Sequence, residues 1–320
     1  MTYKLKDLPS PKASISELTD FVEIECIKSV SKSCNLLSAA RSLGILSDEN
    51  DALTQINDED DSNNEKMIAV SLEIESRLKN CAGNYPFYLK NGGYTVVYDD
   101  NVGDLIKYSY LYLLFLTRLR MTGPNGIGRI NGIDGALLFE QFSLRIIKNY
   151  FGDRANGLIF GTSVRGSFHS KVNDLISSIG EGGRFNTKDY DPTHAYDSKL
   201  DSVVWIDFKD NRGAKIICFI QSKTGTSWKE YVNQLIPTQF TKKWFLNQPS
   251  LEPINAFAIT EVLRENFYEH TIEKLFFERC RLMDFLPENV NEILDRIILW
   301  TDGAIEYING NSTGINIEVI

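Results

Sequence analysis

The chain has 320 residues, of which 42% are hydrophobic and 24% are charged, and these proportions exclude a disordered or fibrous protein. The formal net charge of −9 at pH 7 is opposite in sign to the basic surface expected of a nucleic-acid-binding protein. Residues 1–66, however, contain thirteen acids and seven bases, so the rest of the chain is close to balanced and nucleic-acid binding is not excluded.

Cysteine usage and hydropathy indicate the compartment. The five cysteines have no C-x-x-C spacing, which argues against a zinc scaffold or a disulfide framework and favours a reducing environment. The first twelve residues contain no apolar signal segment, and the most apolar run, residues 105–119, is too short to cross a bilayer. The sequence therefore predicts a cytoplasmic protein without membrane contact.

Residues 1–122 are predicted to form a mainly helical N-terminal region with a regulatory, partner-binding or dimerisation role. Ser14 or Ser16 would cap a first helix over residues 17–43, which Gly44 would end. Residues 47–65 then carry eight acids and no base, as is typical of a solvated linker; contact with a basic partner, or mimicry of DNA, is the alternative.

Three further elements are predicted before residue 122. Residues 67–81 have helical apolar spacing, and residues 85–98 form a β-hairpin around the turn sequence Asn-Gly-Gly. Residues 105–119 form a strongly apolar helix whose aromatic side chains are expected in the core or, near Tyr110, in a dimer interface.

Residues 123–135 contain five glycines, a density that suggests a phosphate cradle. No G-K-[ST] follows them and a helix rather than a strand precedes them, so neither a P-loop nor a dinucleotide fingerprint fits. We therefore predict a flexible connector in which Arg129 can contact DNA phosphate. It leads into a helix over residues 135–150 that contains Glu140.

A strand at residues 156–164 and a short helix at residues 171–179 are predicted next, within a long polar segment that reaches residue 197. Such insertions often carry substrate-contacting loops. The candidate phosphate contacts in this segment are Arg165, Lys171, Arg184 and Lys188, with plain surface charge as the alternative.

Residues 203–208 and 216–220 are predicted to pair as a β-hairpin across a polar turn. Because side chains alternate along a strand, Gln221 and Lys223 would share a face, and antiparallel pairing would bring Asp201 beside them. An acid, an amide oxygen and a lysine at one point suit a divalent cation and an activated water. A surface hairpin with polar ends is the competing interpretation.

Beyond this hairpin, residues 228–245 are predicted to form a helix that Ser227 and Glu230 cap and that Pro237 kinks or shortens. This helix would carry Gln234 towards the site, where it is a further candidate DNA contact. The remaining predictions are a buried strand at residues 254–262, helices at residues 266–283 and 288–300, and an edge strand at residues 315–320.

The order Asp201, then Gln221-Ser222-Lys223 about twenty residues later, resembles the PD-(D/E)XK nuclease signature. It is most similar to the D…QxK variant of Mrr-type restriction endonucleases and related phage-defence nucleases. The Glu140 helix upstream, and the helix and strand downstream, extend the resemblance over about residues 125–265. The resemblance implies an α/β, restriction-endonuclease-like domain at residues 123–320, with a central mixed sheet flanked by helices.

The same resemblance implies a metal-dependent DNA endonuclease acting in bacterial defence against phage. Asp201 would be the main Mg²⁺ (or Mn²⁺) ligand, Gln221 would contribute its amide oxygen, and Glu140 a second negative charge, while Lys223 would orient the attacking water. Asp197 is the alternate ligand if the strand register differs. The implied partners are DNA and either a second copy of the chain or a sensor or regulatory protein.

Two other classes remain open at this point. One is a catalytically inactive nuclease-fold module that binds DNA or a partner protein, in which Glu140 forms a salt bridge with Lys223. The other is an unrelated protein in which Gln-Ser-Lys occurs by chance.

Overall fold

The computed structural model describes residues 9–10, 13–43, 59–119, 127–161, 166–188, 199–263, 273–288, 291–310 and 317–319. The helices in these ranges are α1 (Ile15–Lys28), α2 (Leu36–Ser42), α3 (Glu59–Asn80), α4 (Asp104–Arg118), α5 (Gly135–Phe151), α6 (Phe168–Ile179), α7 (Pro237–Trp244), α8 (Arg279–Asp284) and α9 (Asn291–Ile308). The strands are β1 (Ser33–Asn35), β2 (Phe87–Lys90), β3 (Thr95–Tyr98), β4 (Ile127–Ile130), β5 (Ala155–Ile159), β6 (Ser202–Ile206), β7 (Ile217–Lys223), β8 (Ile254–Ile259), β9 (Leu275–Phe277) and β10 (Ile317–Val319).

The largest sheet has the strand order β5-β6-β7-β8-β9. The pairs β5/β6 and β6/β7 are antiparallel, whereas β7/β8 and β8/β9 are parallel. Two smaller sheets, β1-β3-β2 and β10-β4, are antiparallel. The α/β class and the mixed sheet predicted from the sequence are confirmed.

Strand β7 is central because its first six residues are buried and apolar residues cover both of its faces. Cys218 and Ile220 belong to an apolar cluster that also contains Phe142 of α5. Phe219, on the opposite face, belongs to a second cluster that contains Phe240 of α7. The sheet therefore lies between α5 on one side and α6 and α7 on the other.

A buried ionic cluster joins the N-terminal helices to Arg279 in α8. Asp20 in α1 accepts hydrogen bonds from Arg77 (2.6 Å), Arg118 (2.6 Å) and Arg279 (2.8 Å), and none of these four side chains is more than 8% exposed. Burial by itself raises the pKa of Asp20, but the charges of the three guanidinium groups together hold that pKa well below its usual range. The predicted boundary after residue 122 stays a prediction.

The single helix predicted over residues 17–43 is wrong. The chain leaves helix geometry after α1, Lys32 adopts a left-handed φ of 52°, and β1 intervenes before α2. The side chain of Asn35 then caps α2 by accepting from the backbone N–H groups of Leu37 and Ser38. Ser14, one of the two predicted caps, does cap α1, whereas Gly44 lies outside the described residues.

The acidic segment predicted as a linker is helical in its second part. The helix expected at residues 67–81 begins at Glu59, so α3 includes the last acids of that segment. Residues 47–58 lie outside the described residues.

The helix predicted over residues 228–245 is also wrong. One 3₁₀ turn at Trp228–Glu230 is followed by irregular chain, and α7 begins at Pro237. Proline has no N–H and disfavours helix geometry in the preceding residue, so it occupies the first turn of a new helix. In this described segment, Ser227 makes no side-chain capping bond to the turn.

Residues 266–283 were predicted as one helix, but their described part contains strand β9 and the short helix α8. β9 extends the main sheet by pairing with β8, and Glu278 caps α8 by accepting from the N–H of Arg281. Residues 264–272 lie outside the described residues. The remaining predicted elements are confirmed with shifted ends. The segment predicted as a flexible connector instead contains strand β4, which pairs with β10.

Tyr110 is completely buried within the chain and donates a hydrogen bond to Glu23, so the expectation of a dimer interface at this residue is wrong. The core alternative for the aromatic residues of α4 is confirmed. Among the helices in the described ranges, none is both long and apolar enough to cross a membrane.

Candidate active site

Asp201 and Gln221 lie at the same end of the central sheet. The β6/β7 register pairs Ser202 with Ile220, which makes Asp201 and Gln221 the next pair outward. The backbone N–H of Asp201 donates to the carbonyl of Ile220 at 3.0 Å, and Oδ2 of Asp201 accepts from the N–H of Ser222 at 2.7 Å. The antiparallel pairing predicted from the sequence is confirmed, and it holds the Asp201 carboxylate against β7.

Gln221 is the most unusual polar residue of this region. Its side chain is 0% exposed, and neither Oε1 nor Nε2 hydrogen-bonds to any residue in the described part of the chain. Burying an amide without hydrogen bonds costs roughly 1–3 kcal/mol, so native proteins retain such groups mainly where a ligand, ion or water satisfies them. The position therefore has the property expected of a binding residue rather than of a core residue.

Glu140 reaches this end of the sheet from α5. A Cβ atom added to Gly161 would lie 2.7 Å from Oε2 of Glu140, so the carboxylate rests directly on the Gly161 backbone. The N–H of Gly161 donates to the carbonyl of Asp201 at 3.0 Å. One turn along α5, the hydroxyls of Ser143 and Ser222 are 2.8 Å apart. Gly161 and Ser222 thus link the Glu140 helix to both strands that carry the other candidate residues.

Lys223 ends β7 on the same face as Gln221, and its ammonium lies 5.5 Å from the centre of the Tyr231 ring. Because α5 packs on the opposite face, Glu140 and Lys223 approach this end of the sheet from different sides.

Just after β8, Glu261 accepts a hydrogen bond from Trp228 Nε1 at 2.7 Å, and burial raises the pKa of the Glu261 carboxyl.

The candidate DNA contacts are only partly brought together. Lys171 donates from Nζ to the carbonyl of Gly161 at 2.8 Å, which places its ammonium beside the Glu140 contact. Arg184 and Lys188 are exposed on the segment after α6. Arg129 is exposed in β4, where its backbone lies opposite that of Glu318 in the β4/β10 register.

Gln234 is exposed in the irregular segment before α7, not on a helix as predicted. It lines a shallow cavity of about 150 Å³ together with Gln239 and Lys243. Arg165 and Asp197 lie outside the described residues.

Sequence reasoning missed Gly161, Ser143 and Tyr231. Gly161 follows an apolar strand without a turn partner, and an isolated glycine at such a position is a known sign of close backbone approach. Ser143 and Tyr231 gave no comparable signal, because their contacts depend on how α5 and the segment after β7 pack.

Gly161→Ala is expected to lower the DNA cleavage that the nuclease resemblance implies by about 10–100-fold. The added methyl group would lie 2.7 Å from Oε2 of Glu140 and displace that carboxylate, and small displacements of catalytic groups are costly. Gly161 has no left-handed φ, so the backbone itself accepts alanine. The measurement is the rate of DNA cleavage alongside the melting temperature.

Gly103→Ala is the matched control, since a Cβ there meets no atom within 4 Å. In a Glu140→Gln background Gly161→Ala should cause no further loss. Additive losses would show that Gly161 does not act through Glu140.

The oxygen donors at this end of the sheet suit a hard cation such as Mg²⁺. In the described ranges, no group of three or more His, Cys, Asp or Glu side chains is placed to hold a metal ion. The candidate donors are the carboxylates of Asp201 and Glu140 and the carboxamide of Gln221, whose two polar atoms are buried without a hydrogen bond to described residues. Comparison of the chain with protein-family models, with curated proteins and with solved structures gave no match.

Proposed function

We propose that this protein is a metal-dependent DNA endonuclease that hydrolyses phosphodiester bonds. The observation that supports this most directly is the buried Gln221 carboxamide, which has no hydrogen bond to any described residue. Gln221 lies directly opposite Asp201 in the β6/β7 register, at the sheet end that Glu140 also reaches. A structural hairpin end would leave its polar groups in water or pair them.

Each residue has a distinct role in the proposal. Asp201 and Gln221, on the face of the sheet that Lys223 also occupies, would hold Mg²⁺ or Mn²⁺, and Glu140 would have to reach the ion around the sheet end from the α5 side. The ion would supply charge neutralisation at the phosphate and lower the pKa of a bound water. Lys223 donates from its ammonium to the attacking water and to the phosphate oxygens as negative charge develops on them. Tyr231 lies against Lys223 and limits where the ammonium can go.

The fold assignment within the proposal is restriction-endonuclease-like. Its support is the antiparallel run β5–β6–β7, followed by α7 and the parallel strand β8, with α5 preceding the first strand. The resemblance of Asp201 and Gln221-Ser222-Lys223 to the nuclease signature, by itself, extends the proposal to an anti-phage effector in the bacterial cytoplasm. It would act on DNA either as a dimer or under control of a sensor protein.

The test is cleavage of supercoiled plasmid DNA by the full-length chain. We expect nicked and linear products that require Mg²⁺ or Mn²⁺, that disappear with EDTA, and that Asp201→Asn abolishes. Asparagine retains an oxygen that accepts from Ser222 N–H, so the variant should keep its fold. Asp210→Asn, an exposed aspartate in the loop between β6 and β7, is the matched control.

Two outcomes would reject the proposal. Metal-independent DNA binding without cleavage would indicate an inactive nuclease-fold module, and cleavage of RNA alone would indicate a ribonuclease.

A further inference from the structure

Two cysteines that are eight residues apart in the sequence meet at the join between α1 and β1. Cys34 packs against the apolar cluster that contains Cys26. The Cys26 Sγ lies 3.3 Å from the carbonyl oxygen of Val96, and Val96 is the residue directly opposite Cys34 in the β1/β3 pair. Both the shared packing and the strand register therefore place the two cysteine side chains next to each other.

The two thiols are not equivalent. Cys26 is 0% exposed, whereas Cys34 is half-buried on a short strand at the edge of its sheet. The neighbouring Cys26 thiol lowers the pKa of the Cys34 thiol, and the Cys34 thiol together with burial raises the pKa of the Cys26 thiol. Cys34 is thus the accessible and more readily ionised sulfur, and Cys26 is the protonated neighbour behind it.

We propose that Cys34 and Cys26 form a reversible redox site that exchanges with small disulfides of the glutathione type. The Cys34 thiolate attacks one sulfur of the small disulfide, forming a mixed disulfide and releasing one small thiolate. Cys26 then attacks Cys34 Sγ and passes its proton to the departing small thiolate, which forms the Cys26–Cys34 bond and releases the second small molecule as a thiol. One small disulfide is reduced to two thiols while two protein thiols are oxidised.

A second pair of cysteines, Cys81 and Cys280, serves as an internal control for this chemistry. Cys81 and Cys280 are also neighbours, since the Cys81 thiol together with burial raises the pKa of the Cys280 thiol, but they are 0% and 3% exposed. Contact alone would make both pairs reactive, whereas attack on an external disulfide requires a sulfur that solvent reaches. The proposal therefore predicts reaction at the first pair and protection of the second while the protein is folded.

The experiment treats the native full-length protein with oxidised glutathione and maps its tryptic peptides without reduction. We expect the peptides that contain Cys26 and Cys34 to become linked, dithiothreitol to separate them, and Cys81 and Cys280 to stay reduced until denaturant is added. The Cys26→Ser variant should instead accumulate one glutathionyl group on Cys34, and Cys34→Ser should not react.

Four results would overturn the inference. They are wild-type protein in which both thiols stay reduced, a stable glutathionyl group on wild-type Cys34, linkage of Cys81 to Cys280 first, and reaction of Cys26 in Cys34→Ser. Because the wild-type map is decisive by itself, a variant that fails to fold does not remove the test. DNA cleavage is not measured, so the result is independent of the proposed nuclease function.

Discussion

Lys223→Met is expected to reduce metal-dependent DNA cleavage by roughly 100-fold or more, in line with the loss of one preorganised charged donor from a transition state. Methionine keeps an unbranched stem for packing against Tyr231 and removes only the ammonium, which lies 5.5 Å from the Tyr231 ring centre. Because Lys223 is partly exposed, its loss should not lower stability. The turnover rate at saturating DNA, measured beside the melting temperature, separates a chemical effect from unfolding.

Lys229→Met is the matched control for that substitution. Its ammonium also lies over an aromatic ring, 5.7 Å from the centre of Trp228, but its side chain is exposed in the turn beyond the site. We expect cleavage by this variant within about twofold of wild type, as for a charge that at most contacts phosphate. Equal losses in the two variants would assign both lysines to general DNA attraction, and an active Lys223→Met would remove Lys223 from the mechanism.

Asp20→Asn is expected to lower the free energy of unfolding by about 3–5 kcal/mol, the range measured when one member of a buried ion pair is removed. The substitution leaves Arg77, Arg118 and Arg279 buried without the carboxylate that they share. Urea denaturation followed by circular dichroism measures the loss. It should appear in both the N-terminal helices and the main sheet, because Arg279 lies directly after β9.

Glu25→Gln, on the same helix, provides the comparison for that loss. Its carboxylate pairs with Lys28 at 2.6 Å, and both side chains are 32% exposed, so solvent screens the interaction. We expect a change below about 0.5 kcal/mol. A similarly small change in Asp20→Asn would show that the cluster is not important for stability.

The sequence by itself determined most of the local elements and one long-range pairing. Strands β6 and β7 were predictable because two β-prone runs flank a polar turn, and that turn makes Asp201 and Gln221 partners. Helices α4 and α5 were predictable because their apolar spacing persists over several turns. The placement of Asp201, Gln221 and Lys223 at one sheet end follows from these patterns, although their chemical roles stay predictions.

Only the tertiary structure decided which residues from distant segments meet. Glu140 touches Gly161, Cys26 and Cys34 both lie beside Val96, and Asp20 binds three arginines because helices and strands pack in particular orientations. Periodicity records which face of an element is buried but not which element covers it. The same limit explains why β9 was predicted as part of a helix. Its short apolar run forms a strand because it pairs in parallel with β8.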